Sequence, residues 1–263
     1  MRKLKVGIIG CGNMGYSILE GIISLLPSRN IFVSDKKKSV LRKIKESGVN
    51  ICSNKEVAEN SEIIIIAVKP QDIEEVLKDI KDKIDPSKTI ISIAAGVKIK
   101  KIEKFLNWKI PVIRVMPNLC VKVKEGIIAY SCGKFAKGKG KIVESLFSRL
   151  GIVFEIDEKK MDLITAISGS GPGYIFYFAE IFEKICRKEG LKSGISGEIV
   201  SQLFYGAGKM IKEMKKPKKL KEEVCSPGGT TIEGIKVFEK YNLERIFEEV
   251  IEKAKKRSEE LSN

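Results

Sequence analysis

A short segment near the end of the sequence, residues 225–233, places a turn, two glycines and two threonine hydroxyls just before a helical pattern. At the start of a helix the first backbone N–H groups have no partner within the helix and lie at the positive end of its dipole. They can therefore bind a small anion, and glycines let that anion approach the main chain. The segment predicts recognition of a small anion; the alternative is a well-capped helix without a ligand.

A second segment with binding chemistry lies at the other end of the sequence. It reads Gly10-Cys11-Gly12-Asn13-Met14-Gly15. An apolar run over residues 4–9 predicts a buried strand before it, and an apolar helical pattern follows, which is the context that a dinucleotide-binding turn requires. Gly10 would make the tight turn, Gly12 would admit a pyrophosphate, and Gly15 would let the helix pack closely on the strand. Together the two segments suggest a reductase of a small acid.

The residues that end the next predicted strand bear on the choice of cofactor. Asp35 would accept hydrogen bonds from a ribose 2′-OH and repel a 2′-phosphate. Ser34, Lys36 and Lys37, in contrast, could hold that phosphate. The two indications conflict, so we predict NADP(H) with NAD(H) as the alternative.

Two further segments follow buried strands, at the edge of the sheet where ligands of open α/β sheets bind. They are Ala67-Val68-Lys69-Pro70 and Ser92-Ile93-Ala94-Ala95-Gly96, and an ordinary strand-ending turn explains each one equally well. Arg114 has a similar position and could be an anion ligand or a structural ion-pair partner. The full set of predicted cofactor contacts is Ile9, Gly10, Cys11, Gly12, Asn13, Met14, Gly15, Ser34, Asp35, Lys36, Asn54, Ala67, Val68, Lys69, Pro70, Ala94 and Ala95.

Composition excludes several kinds of chemistry. The 263 residues include no histidine, which rules out Ser-His-Asp triads, Cys-His pairs, H-E-x-x-H zinc sites and histidine-based dehydrogenases. The six cysteines are scattered without a C-x-x-C pair, so we expect neither a metal site nor a disulfide framework. The sequence has neither an apolar stretch of about 18 residues nor a signal-peptide pattern, and we expect a cytoplasmic protein with no membrane partner.

The formal net charge is +15, carried mostly by lysine. Nucleic-acid binding is one interpretation, but the lysines are spread along nearly every predicted helix instead of clustering with aromatic residues. We therefore predict a solvated basic surface that attracts an anionic cofactor and substrate, and no nucleic-acid partner. The densest basic run, residues 212–219, is expected to lie in a connection between helices.

Hydrophobic periodicity divides the chain in two. Over residues 1–157, short β-branched runs alternate with amphipathic helical patterns, which predicts an α/β domain with a doubly wound parallel sheet covered on both faces. Beyond that point long helical patterns take over, so we predict an all-helical domain over residues 158–263. Residues 174–179 are apolar on more than one face, which predicts burial against a second subunit.

Six segments, taken in order, resemble the pyrroline-5-carboxylate reductase family over nearly the whole chain. They are residues 10–15, 67–70 and 92–97, then Arg114-Val115-Met116-Pro117-Asn118, Ser168-Gly169-Ser170-Gly171-Pro172 and Ser226-Pro227-Gly228-Gly229-Thr230-Thr231-Ile232. The last two segments are the most specific to the family. The resemblance implies a Rossmann domain, a helical C-terminal dimerisation domain, a homodimer that often assembles further, and NAD(P)H-dependent reduction of 1-pyrroline-5-carboxylate to L-proline.

The resemblance also implies roles for individual residues. The backbone around Ser226, Gly229, Thr230 and Thr231 would hold the substrate carboxylate, and the Thr231 hydroxyl would hydrogen-bond the ring nitrogen. Glu158 matches a carboxylate that is common in the family and could stabilise the iminium; a surface position without a catalytic role is the alternative. An imine is basic enough to react without a strong protein acid, which fits a chain that lacks histidine.

Two other functions stay open from the sequence. One is reduction of another imine or of a β-hydroxy acid on the same two-domain architecture. Hydroxy-acid reductases generally need a Lys or His at the start of the long interdomain helix, and residues 168–174 offer neither. The other is a non-catalytic nucleotide-binding regulator whose basic surface engages nucleic acid.

Overall fold

The structure is a computed structural model that describes residues 4–106 and 109–261. These residues form two compact units. The first comprises the described residues up to Ser170 together with those from Lys253 onward, and the second comprises Gly171–Glu252. Residues 158–170, which the sequence pattern assigns to the helical domain, group with the first unit; the domain boundary after residue 157 stays a prediction.

The first unit is built on a twisted sheet. Within the described residues its eight strands are β1 (Val6–Ile9), β2 (Ile31–Ser34), β3 (Asn50–Ile51), β4 (Ile63–Ile66), β5 (Thr89–Ser92), β6 (Val112–Pro117), β7 (Gly126–Cys132) and β8 (Gly151–Glu155). Their order is β3-β2-β1-β4-β5-β6-β7-β8. Strands β2 and β3 lie on one side of β1, and the chain then returns so that β4 lies on the other side of β1. Open α/β sheets bind ligands at such a switch point.

Helices connect most of the strands of this unit, and one short helix follows the last strand. They are α1 (Asn13–Ile23), α2 (Lys38–Ile44), α3 (Asn54–Asn60), α4 (Ile73–Ile80), α5 (Ile99–Phe105), α6 (Gly140–Phe147) and α7 (Met161–Ile164). Helix α4 shows why these segments are helical, because Ile73, Val76, Leu77 and Ile80 recur at the spacing of one helix face and all four are buried. Its acidic residues occupy the opposite face and its first turn.

The core of the unit has two layers, one on each face of the sheet. Alternate residues of β4 point to opposite faces, so Ile63 and Ile65 join one buried cluster while Ile64 and Ile66 join the other. Helix α1 covers the first layer through Ile18, Leu19 and Ile22, and α4 covers the second. Burial on both faces explains why the central strands are continuous runs of β-branched residues.

The second unit is helical. It contains α8 (Gly171–Lys188), α9 (Ser193–Met214), α10 (Pro217–Val224), α11 (Thr230–Lys240) and the greater part of α12 (Leu243–Leu261). Two aromatic pairs pack its helices: the rings of Phe182 and Phe204 meet edge to face at 5.8 Å, and those of Phe178 and Phe247 stack at 5.7 Å. Residues 175–177 are more than half exposed in the single chain.

The predicted fold class is confirmed, and the structure departs from or extends the sequence prediction in three details. First, β7 pairs antiparallel with β6, so the last two strands run against the other six. Second, residues 165–169 form a π-helical turn, and α8 begins at Gly171 soon after it. Third, the basic run 212–219 is mostly helical, because α9 continues to Met214 and α10 begins at Pro217.

Candidate active site

The glycine turn after β1 has the geometry that its sequence predicts. Gly10 has φ +89°, and a Cβ there would lie 2.8 Å from the carbonyl oxygen of Ala67. A Cβ at Gly15 would collide with the carbonyl oxygen of Gly10, so only glycine lets α1 approach the strand this closely. Gly12 differs from both, because a Cβ there would meet nothing within 4 Å. The backbone at Gly12 is therefore open to a ligand.

Asp35 fixes the position of this turn. Its Oδ2 accepts the backbone N–H of Cys11 at 2.7 Å, and its Oδ1 accepts the N–H of Lys37 at 2.7 Å. The carboxylate thus ties the turn after β1 to the end of β2. The Cys11 thiol is buried, which raises its pKa to about 12, with the charge of Asp35 as a second cause. The thiol therefore stays protonated at neutral pH and is no nucleophile.

Ser34 and Asn54 form a second link on the same side. The buried Ser34 hydroxyl donates to Oδ1 of Asn54 at 2.6 Å. Asn54 is the first residue of α3, whose start is fixed by a reciprocal capping box between Ser53 and Glu56. The Ser34 hydroxyl therefore donates its hydrogen bond to Asn54, while its oxygen can still accept one.

A cavity of about 560 Å³ opens at the carboxyl ends of β1, β2 and β4. Its lining consists of Ile9, Gly10, Gly12, Asn13, Asp35, Lys36, Lys37, Val40, Asn54, Ala67, Val68, Lys69, Gln71, Asp72 and Val76. Ten of the predicted cofactor contacts therefore line one cavity, as the ends of neighbouring parallel strands should. Gln71, Asp72 and Val76 were not predicted, because they lie beyond the strand end that the motif marks.

The other predicted contacts have different surroundings. Cys11 lines a neighbouring cavity of about 340 Å³, next to α1 and α2. The predicted contacts absent from the lining of the 560 Å³ cavity are Cys11, Met14, Gly15, Ser34, Pro70, Ala94 and Ala95. Ala94 is buried in the core layer that α4 covers. Beside it, Gly96 has φ +78°, and a Cβ there would lie 2.9 Å from Cβ of Leu261, so the end of α12 packs on this turn.

Arg114 is the centre of a buried polar cluster. Its Nη2 lies 3.2 Å from Oδ1 of Asp162, which also accepts the Ser258 hydroxyl at 2.8 Å. Its Nη1 lies 3.7 Å from Oε1 of Glu158, and that oxygen accepts the N–H of Ile99 at 2.7 Å. Of the two interpretations that the sequence left open for Arg114, these contacts are those of a structural ion-pair partner. Glu158 holds the start of α5, and its catalytic role stays a prediction.

The predicted anion segment lies in the second unit and begins with a turn. The Gly229 N–H donates to the Ser226 carbonyl at 3.0 Å, and Gly228 has φ +72°, which favours glycine. Gly229 then precedes α11 with an extended backbone, and no side chain caps the helix. The first N–H groups of α11 are therefore open to an external acceptor, and anion recognition by this segment stays a prediction. Thr230 and Thr231 are exposed beside them.

The described residues contain neither a metal-ligand cluster nor a membrane-spanning helix. Among residues 4–106 and 109–261, no group of three or more potential ligands is placed to hold a metal ion. No helix in the same ranges is long and apolar enough to cross a bilayer.

Known families match both parts of the chain. Residues 158–261 match the family described as pyrroline-5-carboxylate reductase dimerisation. Residues 5–96, which contain the glycine turn and most of the cavity, match the family described as NADP oxidoreductase, coenzyme F420-dependent.

Individual proteins match over the full length. Pyrroline-5-carboxylate reductase 3 of Danio rerio is 37% identical, over 99% of this chain and 92% of the relative. The crystal structure of Plasmodium falciparum pyrroline carboxylate reductase with NADP bound covers 100% of both chains, at 34% identity and a TM-score of 0.90. A pyrroline-5-carboxylate reductase from Coxiella burnetii likewise covers 100% of both chains, at 31% identity and a TM-score of 0.91. With its glycine turn, strand-end cavity and uncapped helix start, this chain belongs to the pyrroline-5-carboxylate reductase family.

Proposed function

We propose that the protein reduces 1-pyrroline-5-carboxylate to L-proline with NAD(P)H, the final step of proline biosynthesis. The observation that carries the proposal is the 560 Å³ cavity, because it joins an open glycine turn to the ribose-side carboxylate of Asp35. Membership of the family supports the choice of substrate. The matched Plasmodium falciparum structure has NADP bound, and residues 5–96 match a family described as NADP oxidoreductase; both support the choice of cofactor.

The residues of the cavity fit a dinucleotide. Gly12 leaves room for the pyrophosphate where a side chain would stand, and α1 begins at Asn13 with no side-chain cap on its first N–H groups. Asp35 and Asn54 present oxygens at the ribose end. Ala67, Val68 and Lys69 form the wall at the end of β4. When bound, the nicotinamide supplies the hydride that reduces the imine carbon.

The start of α11 is proposed to hold the substrate. A carboxylate accepts hydrogen bonds from the free N–H groups at Thr230 and Thr231, and the helix dipole adds to the attraction. The Thr231 hydroxyl then hydrogen-bonds the ring nitrogen and orients the imine. Because the protonated imine is already electrophilic, positioning supplies much of the catalysis and no imidazole is needed. Stabilisation of the iminium by Glu158 is a further proposal.

We also propose a homodimer assembled through residues 158–263, as a helical domain distinct from the Rossmann domain of residues 1–157. Ile175, Phe176 and Tyr177 of α8 are more than half exposed in the single chain, and a second copy would bury them. A cytoplasmic location, where thiols stay reduced, is also proposed; the six cysteines are free. The basic surface is proposed to be solvated, with no nucleic-acid partner.

Initial rates test this function directly. The purified protein is supplied with 1-pyrroline-5-carboxylate and either NADPH or NADH, and cofactor oxidation is followed together with chiral detection of proline. The proposal expects substrate-dependent oxidation that yields L-proline. No oxidation with either cofactor, combined with a salt-sensitive gel shift on nucleic acid, would favour the regulator instead.

A further inference from the structure

The ribose end of the cavity contains an ion-pair group that the proposed function does not use. Lys36, two residues after the end of β2, reaches across to the start of α4. Its Nζ lies 2.8 Å from Oε2 of Glu75 and 3.8 Å from Oδ1 of Asp72. Lys36 and Asp72 both line the cavity, so the pair is at its rim. The hydrogen bond that Lys36 donates to Glu75 raises the pKa of Lys36, so the ammonium stays charged at neutral pH.

Charges of both signs lie along the cavity and its rim. Asp35, Asp72 and Glu75 carry three negative charges, and Lys36, Lys37 and Lys69 carry three positive ones. Both oxygens of Asp35 accept backbone N–H groups, so this carboxylate stays at the rim in a fixed orientation. A phosphate on the adenosine ribose would be repelled by these carboxylates, and it could use Lys36 only by displacing Glu75.

We propose that Glu75, supported by Asp72, determines how strongly the protein discriminates between NADP(H) and NAD(H). Glu75 holds the Lys36 ammonium away from other anions, which weakens binding of a 2′-phosphate. A ribose 2′-OH carries no charge and does not compete for Lys36, so its binding does not depend on Glu75. This inference rests on the proposed function, because it requires a dinucleotide in the cavity.

The exposure of the Lys36 and Glu75 side chains limits how strongly Glu75 can affect binding of a 2′-phosphate. The side chains of Lys36 and Glu75 are 59% and 68% exposed, so solvent screens their interaction and salt weakens it. Releasing Lys36 from Glu75, so that its ammonium can pair with a phosphate of about two negative charges, is expected to strengthen binding about three- to tenfold at low salt. Because the side chains are exposed, the substitution is expected to leave folding intact.

Equilibrium binding of NADP⁺ and NAD⁺, measured by calorimetry at low salt, tests the inference without turnover. Glu75→Gln should tighten NADP⁺ binding about three- to tenfold and change NAD⁺ binding less than about twofold. Glu74→Gln is the matched control, because the neighbouring Glu74 lies on the same helix but pairs with Lys101 at 3.1 Å. It should change neither affinity appreciably. Adding Lys36→Ala to Glu75→Gln should abolish the gain.

The outcomes separate the inference from the proposed function. An unchanged ratio of the two affinities in Glu75→Gln, with wild-type binding intact, would overturn the role of Glu75. A gain that survives removal of Lys36 would also overturn it, because the pair would then not be the cause. If wild-type protein bound neither nucleotide, the cofactor site itself would be wrong, and the inference would fall with it.

Discussion

Replacing Asp162 by alanine should destabilise the protein strongly. Asp162 is buried, and its Oδ1 contacts both the guanidinium of Arg114 at 3.2 Å and the hydroxyl of Ser258 at 2.8 Å. The change leaves Arg114, which is 2% exposed, with Glu158 alone at 3.7 Å. Loss of one partner from a buried pair typically costs about 3–5 kcal/mol, because the other charge stays buried. We expect the free energy of unfolding to fall by that amount.

The Ser258 hydroxyl contributes less and depends on the same carboxylate. A hydrogen bond to a charged group contributes about 1.5–3 kcal/mol, so Ser258→Ala should cost about 2 kcal/mol. The double variant Asp162→Ala/Ser258→Ala should lose less stability than the two single variants lose together, since both single changes remove the same hydrogen bond. Losses of unfolding free energy that do not add would thus indicate direct contact between α7 and α12.

Thermal and urea unfolding at one fixed protein concentration provide the assay, because self-association would otherwise shift the midpoints. A matched control is Glu260→Gln, also on α12, whose partner Arg257 is 69% exposed. This exposed pair should contribute less than about 1 kcal/mol. The reasoning is refuted if Asp162→Ala unfolds within about 1 kcal/mol of the wild type, or if its effect and that of Ser258→Ala simply add.

The remaining predictions concern the two sites and one buried acid. Thr231→Ala should lower kcat for 1-pyrroline-5-carboxylate about 10²-fold or more while NADPH binding stays unchanged, and Thr231→Ser should restore most of the rate; an unaffected kcat would remove Thr231 from the mechanism. Gly15→Ala should abolish dinucleotide binding in calorimetry, because its Cβ collides with the Gly10 carbonyl, whereas Gly171→Ala, with open space around it, should bind normally. Glu103 is buried, and burial followed by the charge of Glu158 raises its pKa above 4.5. The folded state then holds this proton more tightly, so the contribution of Glu103 to stability falls as pH rises past 4.5; Glu103→Gln should be more stable than wild type at pH 7, with a gain that disappears below pH 4.5, and equal stability at pH 7 would contradict this.

The sequence predicted the parts of the fold that depend on local pattern. β-branched runs identified the central strands, and the glycine spacing identified the turn at Gly10, because steric limits there exclude other residues. The sequence did not predict the direction of every strand. Buried strands read as apolar runs whether parallel or antiparallel, so nothing local marked β7 as reversed. Apolar periodicity also does not predict the short helix α3, because its sequence has little of it. The capping box at Ser53 and Glu56 is nevertheless a sequence signal for the start of this helix.

The sequence likewise predicted some residues of the candidate site and not others. Residues on one strand end or one turn were predictable, since the motif and the cavity share the same edge of the sheet. Contacts between distant segments were not, and the bond between Asp162 and Ser258 joins residues 96 positions apart. A buried arginine in a strand does require a carboxylate partner, so Arg114 was a signal that such a contact exists but not where. The pairing of Lys36 with Glu75 was hidden for the same reason.

The central claim is that the open start of α11 binds a carboxylate on a cyclic imine while the imine is reduced. Comparison of kcat/KM for 1-pyrroline-5-carboxylate and for 1-pyrroline, which lacks the carboxylate, tests this claim most directly. Loss of charge-assisted hydrogen bonds of about 1.5–3 kcal/mol each predicts a decrease of at least about 10²-fold for 1-pyrroline. Equal kcat/KM for the two imines would contradict the claim.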